Sequence, residues 1–418
     1  MVRIKFTLLF LVINWSIHAR TIDWQTGLTL IQQNNPEWLA ANQTLESTRA
    51  LEDSARSGFL PKLSGSISSS QSYGEITSNS SKRSESVALN LSQNLFSGFA
   101  DLARYSEAKQ NTRIAEMTWK QSKAKISYDY KSAYAGVVYA QEYVTLTQKI
   151  LDRRKENLNI VQLRFNSGRE NKGSVLLSEA YYQQAVYDSI QAGLQLDVAQ
   201  NTLAQVLGLS LMDDKLVVVQ DIPMTELAES SAIDFKKLGT LTLDYQKAMA
   251  QADAAKFTHD QNKAAYYPSL DLTGSIGKSD SVFPPENDRW SVGVSLTIPI
   301  FSGGRDYANE LSARYRRVAA EVNRTTVSFQ MIVKLKQAYS QFRLAIEKVK
   351  VDEKFKQAAQ MRSEIAKKKY NNGLMSFDDW DVVENDLIQR EKNSLTSSRD
   401  RVVGSANWDQ AQGIGLWP

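Results

Sequence analysis

The residues of this chain most able to do chemistry are carboxylates. Asp378, Asp379 and Asp381 crowd a segment that also holds Tyr370, Gly373 and Ser376. Alone they suit the first turn of a following helix, whose N-terminus favours negative charge. Gathered by symmetry around an axis they would form a ring of confined like charges, raised in pKa and attractive to cations. Other chemistries lack their residues. There is no cysteine, hence no disulfide framework or thiolate metal site. Of two histidines, His18 falls in a leader-like segment, and His259 in Phe257-Thr258-His259-Asp260 reads as a solvated helix position. No glycine-rich phosphate loop and no Gly-x-Ser-x-Gly elbow occurs. The expectation is a protein that is not an enzyme, with no cofactor and no metal site.

The elements that must position those carboxylates come in two copies. Arg3 and Lys5, the apolar run from Phe6 to Ile17, and His18-Ala19 have the layout of a cleaved secretory signal over residues 1–19. Beyond it, Leu95-Phe96-Ser97-Gly98 returns as Ile300-Phe301-Ser302-Gly303, Ala133-Tyr134 as Ala338-Tyr339, and Arg164-Phe165-Asn166-Ser167-Gly168 as Lys369-Tyr370-Asn371-Asn372-Gly373, all offset by 205 residues. A period this long is no solenoid unit, and it implies two copies of one structural half. The first half covers 20–210 and the second 232–418, with a linker at 211–231 holding one short strand. Losing Arg3 and Lys5 takes the basic count from 50 to 48 against 46 acidic residues, which gives no electrostatic case for nucleic acid.

Each half reads helix, strand, strand, long helix, tip, returning helix. Strict alternation marks strands at about 62–73 and 86–96, and again at 269–278 and 289–300. Trp290, Val292, Val294, Leu296, Ile298 and Ile300 share one face, and Ser291, Gly293, Ser295 and Thr297 share the other. Strands of this length cross a bilayer when tilted in a barrel, and their small hydroxyl and amide side chains suit a wet lumen. Phe59, Tyr73, Phe96, Tyr267, Trp290 and Phe301 sit near strand ends, where interfacial aromatic girdles belong. An ordinary soluble sheet with one face on helices would also alternate. The helices argue against it. The proline-free stretches at about 99–165 and 304–370 would each span about 100 Å, too long for one globular core. Ile126, Tyr130, Ala133, Val137, Ala140, Val144, Thr147 and Leu151 step by four and three as a coiled-coil stripe that Arg154 interrupts. The returning helices, 175–207 and 380–412, are about half as long.

Four strands cannot close a barrel, and an open edge cannot face lipid. The barrel must be shared between copies; three chains give twelve strands, wide enough for a channel. The fold class expected from geometry is an α+β membrane protein: a homotrimer forming a shared 12-stranded transmembrane β-barrel continued by a long α-helical tube.

The duplicated order of strand, Ile300-Phe301-Ser302-Gly303-Gly304, long helix, Tyr370-Asn371-Asn372-Gly373 and returning helix, with Asn35-Pro36-Glu37 near the start, resembles the TolC-like outer membrane efflux proteins. The resemblance implies that the helical tube is a periplasmic α-helical barrel, and that the whole is a passive export duct in outer-membrane lipid, working with a periplasmic adaptor protein and an inner-membrane transporter in efflux or type I secretion. It implies that Tyr370 and Asp379 help hold the periplasmic entrance closed. Met375 and Ser174 depart from the family's basic and acidic residues at those positions. Arg169 or Arg164 is expected to pair with Asp378 and Asp379 in the closed state, with Asp381 in the same gate. Gly168, Ser174, Gly373, Ser376 and Lys369 form the expected docking tip, and Lys367, Lys368 and Arg362 read as a solvated face or an adaptor contact. The competing expectation is a non-channel trimeric coiled-coil protein of the periplasm or cell surface. Fractionation with the outer membrane as a heat-modifiable trimer separates the two, because the coiled coil would do neither.

Overall fold

The computed structural model describes residues 20–74, 80–209, 216–218, 222–224, 226–227 and 233–417. The leader and most of the 211–231 linker lie outside them. Contacts divide the chain into two compact units, one of Met1–Leu39, Lys123–Ala232 and Lys336–Pro418, the other of Ala40–Ser122 and Ile233–Leu335. Each unit takes segments from both sequence copies, so the duplication does not mark out separate globular halves.

In the first unit, β1 (Arg20–Ile22) pairs in parallel with β4 (Leu216–Val218), the strand of the linker. They cover a core of α1 (Trp24–Asn34), α3 (Ala100–Asn166) and α4 (Lys172–Leu207), in which Ile22, Ile31, Ile126, Leu203 and Leu207 are buried. Burial of each such side chain contributes about 1.5–3 kcal/mol. Tyr130 donates its hydroxyl to the Trp24 carbonyl at 2.9 Å, and Tyr134 does the same to Ile22 at 3.4 Å. Burial raises the Tyr130 hydroxyl well above the usual tyrosine range. The helix that leads the first copy stops at Asn35 because Pro36 disfavours a helical residue before it. Asn35 uses the break: its Oδ1 accepts from Trp38 N at 2.8 Å, and its Nδ2 donates to the Val206 carbonyl at 2.7 Å.

The long helices α3 and α7 (Arg305–Asn371) contain no proline, and glycine only at Gly136. The apolar stripe expected on α3 is buried at Ile126, Tyr130, Ala133, Val137, Ala140 and Thr147. Among the described residues no helix is long and apolar enough to cross a membrane.

The second unit contains α2 beyond Leu39 (α2 is Pro36–Arg56), α5 (Phe235–Leu241), α6 (Leu243–Lys263) and a four-stranded antiparallel sheet. The sheet order is β2 (Lys62–Gly74), β3 (Ser80–Ser97), β5 (Ser269–Asp280), β6 (Asp288–Thr297). The second leading helix is also split, at Thr242. β3 starts six residues before its expected bound, in a polar stretch without alternation. β6 ends at Thr297 instead of Ile300, since Pro299 has no N–H for the ladder.

The apolar side of this sheet is bare: Ile67 is 76% exposed, Trp290 77% and Leu296 60%. The other side carries hydroxyls that bond across strands, Ser68 to Ser86 at 2.7 Å and Ser275 to Ser291 at 2.9 Å. Phe59, Phe96, Tyr267 and Phe301 stand at the end where the strands meet helices, and Trp290 at the opposite end. Tyr73 is on β2, its side chain outside the described residues. At the helical end the chain turns sharply through Gly98 and Phe99, both with positive φ; Phe99 lies edge-on to Phe96 (5.1 Å) and Tyr267 (6.1 Å). The corresponding turn in the second copy uses Gly303 and Gly304.

His259 corrects the sequence expectation. It is 3% exposed and bonds Glu310 at 2.7 Å, where the local run Phe257–Asp260 suggested a solvated face. Its partner lies 51 residues away on α7, beyond the reach of local pattern. The imidazole holds the Glu310 carboxyl below its ordinary pKa.

The close approach of α1 to α3 yields a test. A Cβ at Gly27 would overlap the Tyr130 ring and hydroxyl. Gly27→Ala should displace Tyr130 from the Trp24 carbonyl and cost about 1–3 kcal/mol, read as a lower melting temperature by circular dichroism.

Candidate functional site

The two helix tips are built alike. Gly168 (φ 69°) and Gly373 (φ 76°) occupy the left-handed position that ends α3 and α7, which glycine adopts without steric cost. Gly168 N donates to the Phe165 carbonyl at 2.9 Å and Arg169 N to that of Arg164 at 2.8 Å; Gly373 to Tyr370 and Leu374 to Lys369 repeat the pattern at 2.9 Å each. The returning helices then begin with side-chain caps. Asn171 Oδ1 accepts from Ser174 N at 2.9 Å for α4, and Ser376 Oγ from Asp379 N at 3.1 Å for α8 (Phe377–Gln412). The Ser376 cap is why α8 starts three residues earlier than the sequence suggested.

Between the tips lies a small aromatic core. Tyr370 is fully buried and stacks on Trp380 at 4.3 Å with planes 17° apart; Phe377 meets both rings edge-on. Tyr370 is also tied to the first tip at both ends. Its hydroxyl donates to Glu170 Oε2 at 2.9 Å, and its carbonyl accepts from Arg164 Nη1 at 2.7 Å. The Arg164 guanidinium lies over the Tyr370 ring, 4.5 Å from its centroid. Glu170 is itself fixed by Ser174 Oγ at 3.0 Å and by the Asn171 amide at 3.1 Å. Burial, and then the bond to Glu170, raise the Tyr370 hydroxyl far above its ordinary pKa, so it stays a donor.

The expected site residues thus separate into groups. Tyr370 and Arg164 meet each other. Within the chain, among the described residues, no ion pair joins Arg164 or the exposed Arg169 to Asp378 or Asp379. Asp378 and Asp379 are exposed, and Asp379 accepts from the Ser376 hydroxyl at 2.7 Å. Lys369, Gly168, Gly373 and Ser376 are exposed at the tips, while Ser174 is buried. Part of the basic run is spent inside the chain: Lys367 pairs with Glu156 at 2.8 Å and Arg362 with Asp386 at 3.2 Å.

Asp381 faces away from the tip surface, into a polar seam between α3 and α8. Arg154, the break in the stripe, pairs with Asp381 Oδ1 at 3.3 Å and donates to Asn385 Oδ1 at 2.5 Å. Its guanidinium covers the Tyr181 ring at 4.5 Å. Arg153 pairs with Glu391 at 2.8 Å, and Glu384 receives Ser363 and Asn157. Arg154 stands out in the sequence as the break in the stripe and Asp381 as a tip carboxylate, but their pairing does not. The available signal was Asp381, Glu384 and Asn385, which share one face of a helix at spacings of three and four. Glu170 had no such signal, because its partner comes from the other copy. No group of three or more potential metal ligands occurs among the described residues.

This fold is that of outer-membrane channels. The CmeC outer membrane channel of Campylobacter jejuni superposes with a TM-score of 0.83 over 94% of this chain and 86% of CmeC, at 19% identity. The chain belongs to the outer membrane efflux protein family, whose model matches residues 27–209 and 242–413. That membership places it in the outer membrane. It is 24% identical over 305 residues to the alkaline protease secretion protein AprF of Pseudomonas aeruginosa, an alignment covering 69% of this chain and 63% of AprF. To the outer membrane efflux protein BepC of Brucella suis it is 22% identical over 377 residues, 87% of this chain and 81% of BepC.

The seam makes a measurable claim. The Arg154 and Asp381 side chains are 8% and 11% exposed. Arg154→Ala should cost about 3–5 kcal/mol by leaving Asp381 buried and unpaired, whereas replacing both with leucine should recover most of the loss. Denaturant titration of the three proteins in detergent measures the difference.

Proposed function

We propose that three copies of this chain form the outer-membrane duct of an export assembly, a shared twelve-stranded barrel continued by periplasmic helices. The observation that carries this reading is the sheet: one side apolar and bare, the other lined with serine and threonine, and both edge strands unpaired within the chain. A lipid-facing exterior and a wet lumen call for that combination. The duct performs no covalent chemistry. Its work is to pass cargo and to stay shut when no partner is docked.

The tips hold the closed state. The Tyr370–Glu170 bond, charge-assisted, contributes about 1.5–3 kcal/mol, and the Arg164–Tyr370 contact about 0.5–2 kcal/mol. Across three subunits that amounts to about 6–15 kcal/mol, enough to keep the entrance closed until docking supplies the difference. The docking partners are a periplasmic adaptor and an inner-membrane transporter, received on the exposed tip surface around Gly168, Gly373, Ser376 and Lys369. Asp378 and Asp379, repeated by the threefold axis, form an anionic collar at the mouth. Cargo is drawn from the two classes that the relatives' names span, secreted protein and effluxed compound.

Two bilayer measurements test the duct and its gate. Tyr370→Phe keeps the stack on Trp380 but loses Glu170, and Arg164→Ala loses the Tyr370 carbonyl and ring; each should raise single-channel conductance over the unaltered protein. Unchanged conductance in both would remove the gate from these residues. Asp378→Asn with Asp379→Asn should move the reversal potential in a KCl gradient toward zero as cation preference is lost.

A further inference from the structure

The turn between β5 and β6 carries an apolar run, Val282-Phe283-Pro284-Pro285, at the end of the strands away from the helices, where the outer mouth of a duct would put it in water. It is a braced turn. Ser279 N donates to the Asn287 carbonyl at 2.9 Å, Asp280 accepts from Ser281 N at 2.6 Å and from Asn287 Nδ2 at 2.9 Å, and the two prolines fix their own φ. Phe283, Pro284 and Pro285 roof a cavity of about 920 Å³, whose floor is the bare side of the sheet at Ile67, Val87, Leu89 and Ile276. That is the size of a small-molecule site.

The register shows where along the strands the cavity lies. Gly65, Leu89, Ile276 and Trp290 stand on one rung, Ile67, Val87, Lys278 and Asp288 on the next outward, and Ser69, Glu85 and Asp280 on the one after. Residues opposite one another across a ladder share a face, so this side of the sheet turns from apolar to charged at Lys278. Gly65 keeps the floor low: a Cβ there would have only Leu89 within 4 Å, at 3.8 Å. Lys278 and Asp288 stand at the mouth, 3.6 Å apart, with side chains 55% and 86% exposed. A pair that exposed contributes little, which leaves Lys278 available to another anion. Farther out, Glu85 is buried and takes Arg83 at 2.6 Å and Ser69 at 2.8 Å, which closes that end of the groove.

The geometry points to a binding site for one lipopolysaccharide molecule of the outer leaflet, with an acyl chain of its lipid A under Phe283 and a glucosamine phosphate on Lys278. This rests on the duct reading, in which the helices lie in the periplasm and the β5–β6 turn reaches the outer leaflet. The floor lies largely on β3 and β5, the inner strands of the sheet, so a strand added at an edge would not cover it. Hydrocarbon is what meets it. An apolar floor and roof suit an acyl chain, and a single loosely held cation at the border suits a phosphate.

The full chain, purified in detergent and stripped of lipid, is titrated with hexa-acylated lipid A and separately with phosphatidylethanolamine, and native mass spectrometry counts what stays bound. One lipid A per chain should be retained. Lys278→Gln should weaken that binding about tenfold, the loss of one charge-assisted contact, and Phe283→Ser with Pro284→Gly at least as much. Val294→Ser, on the same side of the sheet but off the cavity, should leave it unchanged. Lipid A binding that is indifferent to Lys278 and Phe283, or that Val294→Ser weakens equally, overturns the site. Phosphatidylethanolamine bound as tightly overturns the choice of lipid. The same spectra keep the two readings apart: a trimer without the lipid site leaves the duct standing, and a monomer removes the duct together with the site.

Discussion

A backbone amide at the edge of a sheet must find a partner, and in hydrocarbon there is no water to provide one. Nearly every large feature of this protein answers to that constraint. The four strands satisfy one another inwardly and leave β2 and β6 open. No rearrangement of a single chain of this design closes them. Hydrogen-bond accounting alone, before any side chain is considered, favours the proposed assembly of several copies.

The first unit is held by two kinds of packing with different sensitivities. Around Tyr130 and Leu203 the contacts are aromatic and aliphatic, and they tolerate small shifts because dispersion falls off gradually. Toward the tips the stripe on α3 gives way to Arg153, Arg154 and Asn157, which meet Asp381, Glu384, Asn385 and Glu391 on α8. Ion pairs of this burial add little net stability over an apolar seam, but they penalise misalignment heavily. The apolar region holds the helices together, and the charged region fixes how α8 sits along α3.

Much of this could be read from the sequence because the decisive patterns were local. Alternation gave the strands, glycine at Gly168 and Gly373 gave the tips, and the constant offset gave the duplication. What escaped depended on distant partners. His259 looks solvated until Glu310 arrives from another helix, and Arg164 looks ready for an aspartate until Tyr370 presents both a carbonyl and a ring. Glu170 is inconspicuous in the sequence because its neighbours are polar tip residues, yet it accepts the hydrogen bond that the buried Tyr370 hydroxyl donates. The early start of β3 was hidden for another reason: residues Ser80 to Ser86 pair through their backbone without an apolar face to announce it.

The turn into α3 shows what duplication has since become. Phe99 holds a positive φ of 70° where the second copy has Gly304, a conformation that costs a non-glycine residue about 1–3 kcal/mol. The ring is braced by Phe96 and Tyr267, and Tyr267 belongs to the other copy. Once the first turn leans on a residue of the second half, the halves are no longer interchangeable modules. The backbone at this turn keeps the symmetry of the two copies, while the side chains that brace it do not.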